Sequence, residues 1–182
     1  MKSYDYEHRV GVTKISWERF VEMSRELAER LAAFEIDAVV GIARAGLFPA
    51  TAVSCALRRE LYPVRVTRRF NDQVAHERPV WKVDVSPEVS GKTVAIVDEI
   101  ADTGETLRIV AERSRALGAA RTVTATLVSH SWAAPAPDVT CLVSDELIIF
   151  PWDERVFQGG RWTPHPELVA ALGLQGRPWD EA

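Results

Sequence analysis

The sequence predicts an α/β fold built on an open, mainly parallel, doubly wound sheet. Short apolar runs rich in β-branched residues alternate with segments of helical periodicity, as parallel strands and their crossover helices do. Two of these runs, at 37–43 and 94–97, are each followed at once by polar residues and a helix start. Ligand sites in such sheets lie at the carboxyl ends of the strands, so both junctions are candidate sites.

Composition narrows the classes of function. The chain has 182 residues, of which 47% are hydrophobic and 26% charged, which is ordinary for one globular domain. Its net charge of −4 gives no reason to expect nucleic acid as a partner, and no stretch approaches the apolar length of a membrane span. The first residues contain no apolar signal region, and Cys55 and Cys141 lie in apolar segments. We therefore expect buried thiols and a cytoplasmic protein.

The N-terminal part of the chain predicts a strand and then a helix. Residues 9–15 alternate apolar and polar side chains. Ser16 is a good N-cap for a helix that runs to about residue 33, with apolar residues at helical spacing. We assign this helix a scaffold role.

The first candidate site follows the strand predicted at 37–43. Arg44, Ala45 and Gly46 come next, before a predicted helix over 47–59. The small residues permit a tight turn, and the Arg44 guanidinium is suited to phosphate oxygens. An ordinary surface arginine is the alternative.

Alternating or continuously apolar patterns predict the remaining strands. They are expected at 62–69, 79–85, 121–128, 139–143 and 146–150. Between and after them lie a polar connection at 71–78, turn residues at 86–91, a Pro-rich linker at 133–137 and a short helix at 166–172.

The second candidate site is acidic. The apolar run at 94–97 is followed by Asp98, Glu99 and Asp102, and then by Thr103, Gly104, Glu105 and Thr106, which open a predicted helix to about residue 117. Backbone N–H groups at a helix start favour a phosphate, and Gly104 permits its close approach. Carboxylates beside a phosphate would repel it unless they hold sugar hydroxyls or Mg²⁺. We therefore predict a ligand with a sugar diol, a phosphate and a metal ion. The alternative is an ordinary turn with Asp102 or Thr103 as the N-cap.

The segment 94–106 resembles the phosphoribosyl pyrophosphate (PRPP) motif of type I phosphoribosyltransferases. It has four apolar residues, two acidic ones, two apolar ones and then Asp-Thr-Gly-x-Thr. The strand that ends in Phe-Pro-Trp-Asp at 150–153 is similar to the base-recognition hood of xanthine and guanine phosphoribosyltransferases. The resemblance implies one domain over 1–182, with a core at about 37–130 and a hood from the N-terminal segment and about 131–160. It also implies a homodimer.

The resemblance assigns roles to residues of this chain. The ribose and 5-phosphate of PRPP are expected at Asp98, Glu99, Asp102, Thr103, Gly104, Glu105 and Thr106. Pyrophosphate is expected at Arg44, Ala45, Gly46, Arg68 and Arg69. The base is expected at Leu147, Ile148, Trp152 and His130. Mg²⁺ is expected at Asp98 and Glu99, directly or through ribose hydroxyls and water. For Trp152 and His130, a purely structural role is the alternative.

The implied reaction is displacement of pyrophosphate from C1 of PRPP by a nucleobase nitrogen. The base is expected to be a 6-oxopurine, which gives a nucleoside monophosphate. Positive charge builds on the ribose, because the leaving group departs ahead of attack. The resemblance makes Asp102 the catalytic residue, as proton acceptor or hydrogen-bond partner at the imidazole ring of the purine. Because a solvated carboxylate is a weak base at neutral pH, we expect Asp102 to be partly buried.

Three other functions remain open at this stage. A regulatory relative would bind PRPP without turnover. A phosphoribosyltransferase for a pyrimidine is also possible, since 6-oxopurine enzymes typically carry a lysine where this chain has Ser129. A phosphatase or nucleotide-binding domain would usually need an Asp-x-Asp or a Gly-rich lysine loop, and neither occurs at these strand ends.

Overall fold

The computed structural model describes residues 11–67, 69–70, 73–74 and 79–179. The α-helices in these ranges are α1 (Trp17–Ala32), α2 (Leu47–Leu57), α3 (Glu105–Ala116) and α4 (Pro166–Leu174). The strands are β1 (Val12–Lys14), β2 (Ala38–Ile42), β3 (Glu60–Thr67), β4 (Arg69–Phe70), β5 (Gln73–Val74), β6 (Val80–Val83), β7 (Thr93–Ala101), β8 (Arg121–Ser129), β9 (Val139–Val143), β10 (Leu147–Ile149), β11 (Arg155–Gln158) and β12 (Arg161–Pro164).

The described chain divides into two compact units. The boundaries lie between Glu22 and Met23 and between Ser144 and Asp145. The larger unit contains most of α1, both α2 and α3, and strands β2 to β9. The smaller unit contains β1, β10 to β12 and α4. That the whole chain behaves as one domain stays a prediction.

Six strands of the larger unit form one sheet in the order β6-β3-β2-β7-β8-β9. All neighbouring strands are parallel except β3 and β6. The chain passes from β2 through α2 to β3 on one side, and later enters β7 on the other side of β2. The strand order therefore reverses between β2 and β7, and the predicted mainly parallel sheet is confirmed.

Helices pack on both faces of this sheet. A Cβ atom added to Gly41 of β2 would lie 2.7 Å from the Cβ of Ala50, so α2 packs closely on that face. Val40 and Ile42 point to the opposite face, because successive residues of a strand alternate. They share a buried core with Leu107 of α3. The sheet is therefore doubly wound, as predicted.

The acidic segment differs from the prediction in one respect. β7 continues to Ala101, so Asp98 and Glu99 lie on the strand and not in a loop after it. The ladder with β8 places Asp98 opposite Thr126 and Ala101 opposite Ser129. Pairing with β8 extends the strand beyond its apolar run, since strand length follows cross-strand pairing and burial more than local polarity.

The cysteine prediction was partly wrong. Buried thiols were expected, but Cys55 is exposed and Cys141 is half-buried. α2 is apolar except for Thr51 and Ser54, and one side of it packs on the sheet through Pro49, Ala50 and Val53. Cys55 lies on another side, so an apolar neighbourhood in sequence did not mean burial.

The other predicted helices and strands are present, with ends shifted by a few residues as is usual. Strands β5, β11 and β12 were not predicted, and most of the polar connection at 71–78 lies outside the described residues. The Ser16 hydroxyl accepts the N–H of Arg19 at 3.1 Å, which confirms it as the cap of α1. No helix of the described residues is long and apolar enough to span a membrane.

The smaller unit has a core of its own. β1 and β10 pair in parallel, and β11 and β12 form an antiparallel hairpin. The side chains of Leu147 and Ile149 pack with Leu168 and Leu172 of α4. This core fixes β10, which carries two of the residues predicted to contact a base.

Candidate functional site

The two predicted junctions lie side by side at the point where the strand order reverses. β2 and β7 are neighbours, and Gly41 pairs with Val97 near the carboxyl end of β2. Residues 43–46 follow the end of β2 at this point. Asp98 comes directly after Val97 on β7, and the chain continues to Asp102 just beyond that strand. A crevice at such a reversal is where doubly wound sheets bind their ligands.

Gly46 brings the two segments into contact. A Cβ atom at Gly46 would lie 2.5 Å from Asp98 Oδ1 and 2.6 Å from the carbonyl oxygen of Ile42. Both distances are far below van der Waals contact, and the Ile42 atom belongs to the backbone. Only glycine fits at this position. Gly46, which was predicted to permit a turn, therefore also leaves room for the side chain of Asp98.

Asp98 is buried next to a second carboxylate. Its residue exposure is 9%, and its Oδ1 accepts the N–H of Glu99 at 3.0 Å. Burial and, after it, the negative charge of Glu99 raise the pKa of Asp98 well above its usual value. Glu99 is half-buried. Two adjacent carboxyl groups in this setting are suited to hydroxyl donors or a cation.

The donor set fits Mg²⁺ held together with a substrate. Among the described residues, no cluster of three or more His, Cys, Asp or Glu side chains could hold a metal ion alone. Mg²⁺ is usually bound by one or two carboxylates, with water and substrate phosphates completing the octahedron. Asp98 and Glu99 supply that pair of carboxylates.

The start of α3 has the conformation expected for a phosphate-binding turn. Gly104 precedes the helix with a φ of +78°, a left-handed conformation that favours glycine. A Cβ atom there would overlap the carbonyl oxygen of Pro135. Thr103 Oγ1 accepts the N–H of Glu105 at 3.4 Å. Glu105 and Thr106 are half-buried in the first turn of the helix.

The loop after β2 presents Arg44 at the surface. The N–H of Ala43 donates to the carbonyl of Val64 at 2.7 Å, which joins the start of the loop to β3. The Ala43–Arg44 peptide bond is cis. Arg44 is exposed, and its carbonyl accepts the N–H of Leu47 at 3.1 Å.

Two predicted pyrophosphate ligands are only partly covered by the structure. Arg68 lies outside the described residues. The backbone of Arg69 belongs to β4, which pairs with β5, but its side chain is outside the described part of the chain. Their roles stay predictions.

His130 lies directly after β8 and is 2% exposed. Its Nδ1 is 2.6 Å from the carbonyl oxygen of Ser144, and because a carbonyl only accepts, Nδ1 donates. The indole of Trp132 stacks on the imidazole, with ring centroids 4.6 Å apart. These contacts support the structural alternative for His130, and its contact with a base stays a prediction.

Asp102 is half-buried, as predicted, and it contacts a tryptophan that the sequence analysis left without a role. The Nε1 of Trp132 donates to Asp102 Oδ1 at 3.3 Å. The available signal was the position of Trp132, an aromatic residue three positions after the end of a parallel strand. Without the pairing of β7 and β8, its neighbour could not be identified.

The smaller unit holds the other predicted base contacts. Leu147 is 1% and Ile148 8% exposed. The N–H of Leu147 donates to the carbonyl of Gly11, and the carbonyl of Ile149 accepts the N–H of Ile15. These two residues of β10 therefore direct their backbone groups toward β1. The backbone N–H and C=O of Ile148 therefore point to the other side of the strand.

Trp152 lies in an aromatic cluster of the same unit. Its ring stacks on Phe150 at 4.8 Å and meets Phe20 edge-on at 5.3 Å and Trp17 at 6.1 Å. Trp152 is half-buried. These contacts give the packing alternative direct support, and contact of Trp152 with a base stays a prediction.

Comparison with known proteins identifies the family of this chain. The family model of the phosphoribosyl transferase domain matches residues 12–160. This chain belongs to the phosphoribosyl transferase family. The predicted family and enzyme class, a phosphoribosyltransferase, are therefore confirmed.

Relatives of this phosphoribosyltransferase include purine enzymes. Xanthine-guanine phosphoribosyltransferases of Idiomarina loihiensis and Cereibacter sphaeroides are each 33% identical to it, over 76% of this chain and 85% of the relative. Among solved structures, a purine phosphoribosyltransferase from Pyrococcus horikoshii matches with a TM-score of 0.71 and 30% identity. That match covers 79% of this chain and 94% of the other. The predicted likeness to purine phosphoribosyltransferases is confirmed.

Proposed function

We propose that this phosphoribosyltransferase transfers the 5-phosphoribosyl group of PRPP to a 6-oxopurine in nucleotide salvage. The products are a nucleoside monophosphate and pyrophosphate. The observation that carries the proposal is the contact of Gly46 with Asp98, which joins an anion loop and a pair of carboxylates where the strand order reverses. The two relatives named xanthine-guanine phosphoribosyltransferase support the choice of a purine.

PRPP is bound by the carboxyl end of β7 and the start of α3. Asp98 and Glu99 accept hydrogen bonds from the 2- and 3-hydroxyls of the ribose. The backbone N–H groups around the start of α3, from Thr103 to Thr106, bind the 5-phosphate, since the first N–H groups of a helix have no carbonyl partner within it and lie at the positive end of its dipole. The left-handed turn at Gly104 supports this role, because it sets the direction in which the N-terminal end of α3 points.

The pyrophosphate group binds at the loop of Arg44, Ala45 and Gly46, with Arg68 and Arg69 as further ligands. Arg44 is exposed at the end of β2 and supplies a planar set of donors for phosphate oxygens. Asp98 and Glu99 would hold Mg²⁺ directly or through ribose hydroxyls and water. When bound, the ion neutralises the developing charge on pyrophosphate.

Asp102 acts at the base. It lies half-buried directly after β7, and it takes a proton or a hydrogen bond from the imidazole ring of the purine. The backbone of Ile148 reads the edge of the purine, with Leu147 and Trp152 as apolar contacts. The outward direction of the Ile148 N–H and C=O supports this role.

The protein is further proposed to be a cytoplasmic homodimer. The side of α2 away from the sheet is apolar and exposed at Phe48, Cys55 and Ala56, with Phe48 at 41%. A second copy would cover this surface. A reducing compartment would keep the thiols of Cys55 and Cys141 reduced.

The proposal is tested by pyrophosphate release from PRPP with guanine, xanthine, hypoxanthine, adenine, uracil and orotate, each with Mg²⁺. Release with one or more of the three 6-oxopurines and loss of release with a chelator are expected. Activity only with uracil or orotate would replace the purine by a pyrimidine. Binding of PRPP without release in any reaction would make the protein a PRPP-sensing regulator.

A further inference from the structure

We propose that Trp132 is a positioning residue, which holds the Asp102 carboxylate in the orientation needed at the base. The inference rests on the proposed function, because it assigns a partner to the residue that acts on the purine. Nothing in the sequence pattern of the PRPP segment points to it, since Trp132 follows a different strand.

The direct contact is a hydrogen bond from an indole to a carboxylate. Trp132 Nε1 donates to Asp102 Oδ1 at 3.3 Å. The χ2 torsion of an aspartate is broad and roughly two-fold, so a hydrogen bond to one carboxylate oxygen restricts the orientation of the group. An indole N–H is a donor only. It can therefore fix the carboxylate without taking up the proton that Asp102 receives.

The indole itself is held by a rigid neighbour. Its ring lies almost parallel to the imidazole of His130, with an interplanar angle of 19° and centroids 4.6 Å apart. His130 is 2% exposed, and its Nδ1 donates to the carbonyl of Ser144 at 2.6 Å. The buried histidine, which the sequence suggested as a base contact, thus supports the tryptophan.

Backbone contacts join the same two segments on either side of the indole. His130 N–H donates to Ala101 at 3.0 Å, and Ala134 N–H donates to Thr103 at 3.0 Å. These bonds flank the pair of Trp132 and Asp102 in both segments. The two loops are therefore held side by side, which places the side chains of Trp132 and Asp102 next to each other.

The exposure of Trp132 allows its hydrogen bond to be removed without emptying a core. The residue is 48% exposed, so replacement by phenylalanine keeps a ring over His130 and deletes the N–H. Trp162 offers a matched control, because it is 64% exposed and its ring packs on Phe157 in the β11–β12 hairpin. Trp162 has no part in the proposed binding or catalysis.

The first test is the kinetics of Trp132→Phe and Trp162→Phe with PRPP and the preferred purine. For Trp132→Phe we expect kcat to fall roughly tenfold, the effect of losing one hydrogen bond to a charged group. The KM for PRPP should stay within about a factor of two, because the inference places the effect of this hydrogen bond at the base and in turnover. Trp162→Phe should match the wild type in both constants.

The second test asks whether Trp132 acts through Asp102. In a double-mutant cycle, Trp132→Phe should cost little more turnover when Asp102→Ala is already present. A wild-type kcat for Trp132→Phe, an equal loss in both backgrounds, or a rise in KM without a fall in kcat would each overturn the inference.

A spectroscopic readout separates this inference from the proposed function. The chain has six tryptophans, so an indole ¹H–¹⁵N spectrum is simple, and Trp132→Phe identifies the resonance of Trp132 by its loss. Asp102→Ala should move that resonance, whereas Trp162→Phe should leave it in place. If the wild-type protein turns over no base, the proposed function fails and the indole resonance alone decides the contact. An unmoved resonance would overturn it.

Discussion

Asp98 and Asp102 lie four residues apart on one segment, yet their surroundings differ. Asp98 is buried on β7 beside Glu99, and its pKa is raised. Asp102 is half-buried after the strand and accepts an indole N–H. The sequence marked both residues as candidates. It could not separate their environments, because these depend on Gly46 and Trp132 from other parts of the chain.

Replacing Asp102 tests its role at the base. We expect Asp102→Asn to lower kcat by about 10²- to 10⁴-fold, the usual contribution of general acid–base catalysis. The affinity for PRPP with Mg²⁺, measured by calorimetry, should change by less than about threefold. Glu29→Gln, an exposed change on α1, is the control. Equal losses of turnover and of PRPP affinity in Asp102→Asn would contradict the role.

The raised pKa of Asp98 predicts a pH dependence of stability. A carboxyl whose folded pKa lies above its unfolded value favours folding most below the unfolded pKa, and this contribution is lost as pH rises toward the folded pKa. Asp98→Asn removes that loss. Without Mg²⁺, the free energy of unfolding of the variant relative to the wild type should therefore increase as pH rises above about 4.

Urea denaturation of Asp98→Asn and wild type at about pH 5 and about pH 8 measures this difference. If the difference in unfolding free energy stays constant, or if the wild type gains stability relative to the variant at the higher pH, then burial does not raise the pKa of Asp98 as described.

At the scale of elements, strands and helices were predictable where their periodicity was strong. The uniformly buried β2 and the capped α1 are examples. The length of β7 was not predictable, since its ladder with β8 carries the strand through two carboxylates. Nor was the packing of the linker at 133–137 onto the start of α3, because it depends on the close approach of Pro135 to Gly104.

Alanine substitutions at Gly104 and Gly160 separate the cost of a left-handed backbone conformation from the cost of the close approach of Pro135. Gly104 and Gly160 have nearly the same φ, +78° and +77°, but a Cβ atom at Gly160 would meet nothing within 4 Å. Gly160→Ala should therefore cost about 1 kcal/mol of unfolding free energy and leave activity unchanged. Gly104→Ala should cost more, and it should also weaken PRPP binding, because either Pro135 or the start of α3 must move.

Thermal unfolding and PRPP titration of the two variants check this. Equal stability and wild-type PRPP affinity in both would show that the turn at Gly104 does not depend on its neighbour.

At the scale of the whole molecule, the sequence predicted the doubly wound sheet and the two candidate junctions at its edge. The reason is physical, since buried parallel strands are continuously apolar and the polar residues that follow them must share one edge. The division into two units and the aromatic cluster of Trp152 were not predictable. Both depend on contacts between distant parts of the chain.

Assembly is tested on the exposed face of α2. Ala56→Glu places a charge on the proposed dimer surface and should shift sedimentation toward the monomer. Ala170→Glu, an equivalent exposed change on α4, should leave the sedimentation coefficient unchanged. Identical sedimentation of both variants and the wild type would remove α2 as the contact surface.

The central claim is that phosphoribosyl transfer takes place at the carboxyl ends of β2 and β7. The most direct measurement is pyrophosphate release from PRPP with the preferred 6-oxopurine by the double variant Asp98→Asn, Glu99→Gln. The control, Glu29→Gln with Glu60→Gln, removes two exposed charges from other elements. We predict that the first variant loses at least about 10²-fold in kcat/KM while the control keeps wild-type activity. Wild-type release by the first variant would contradict the account.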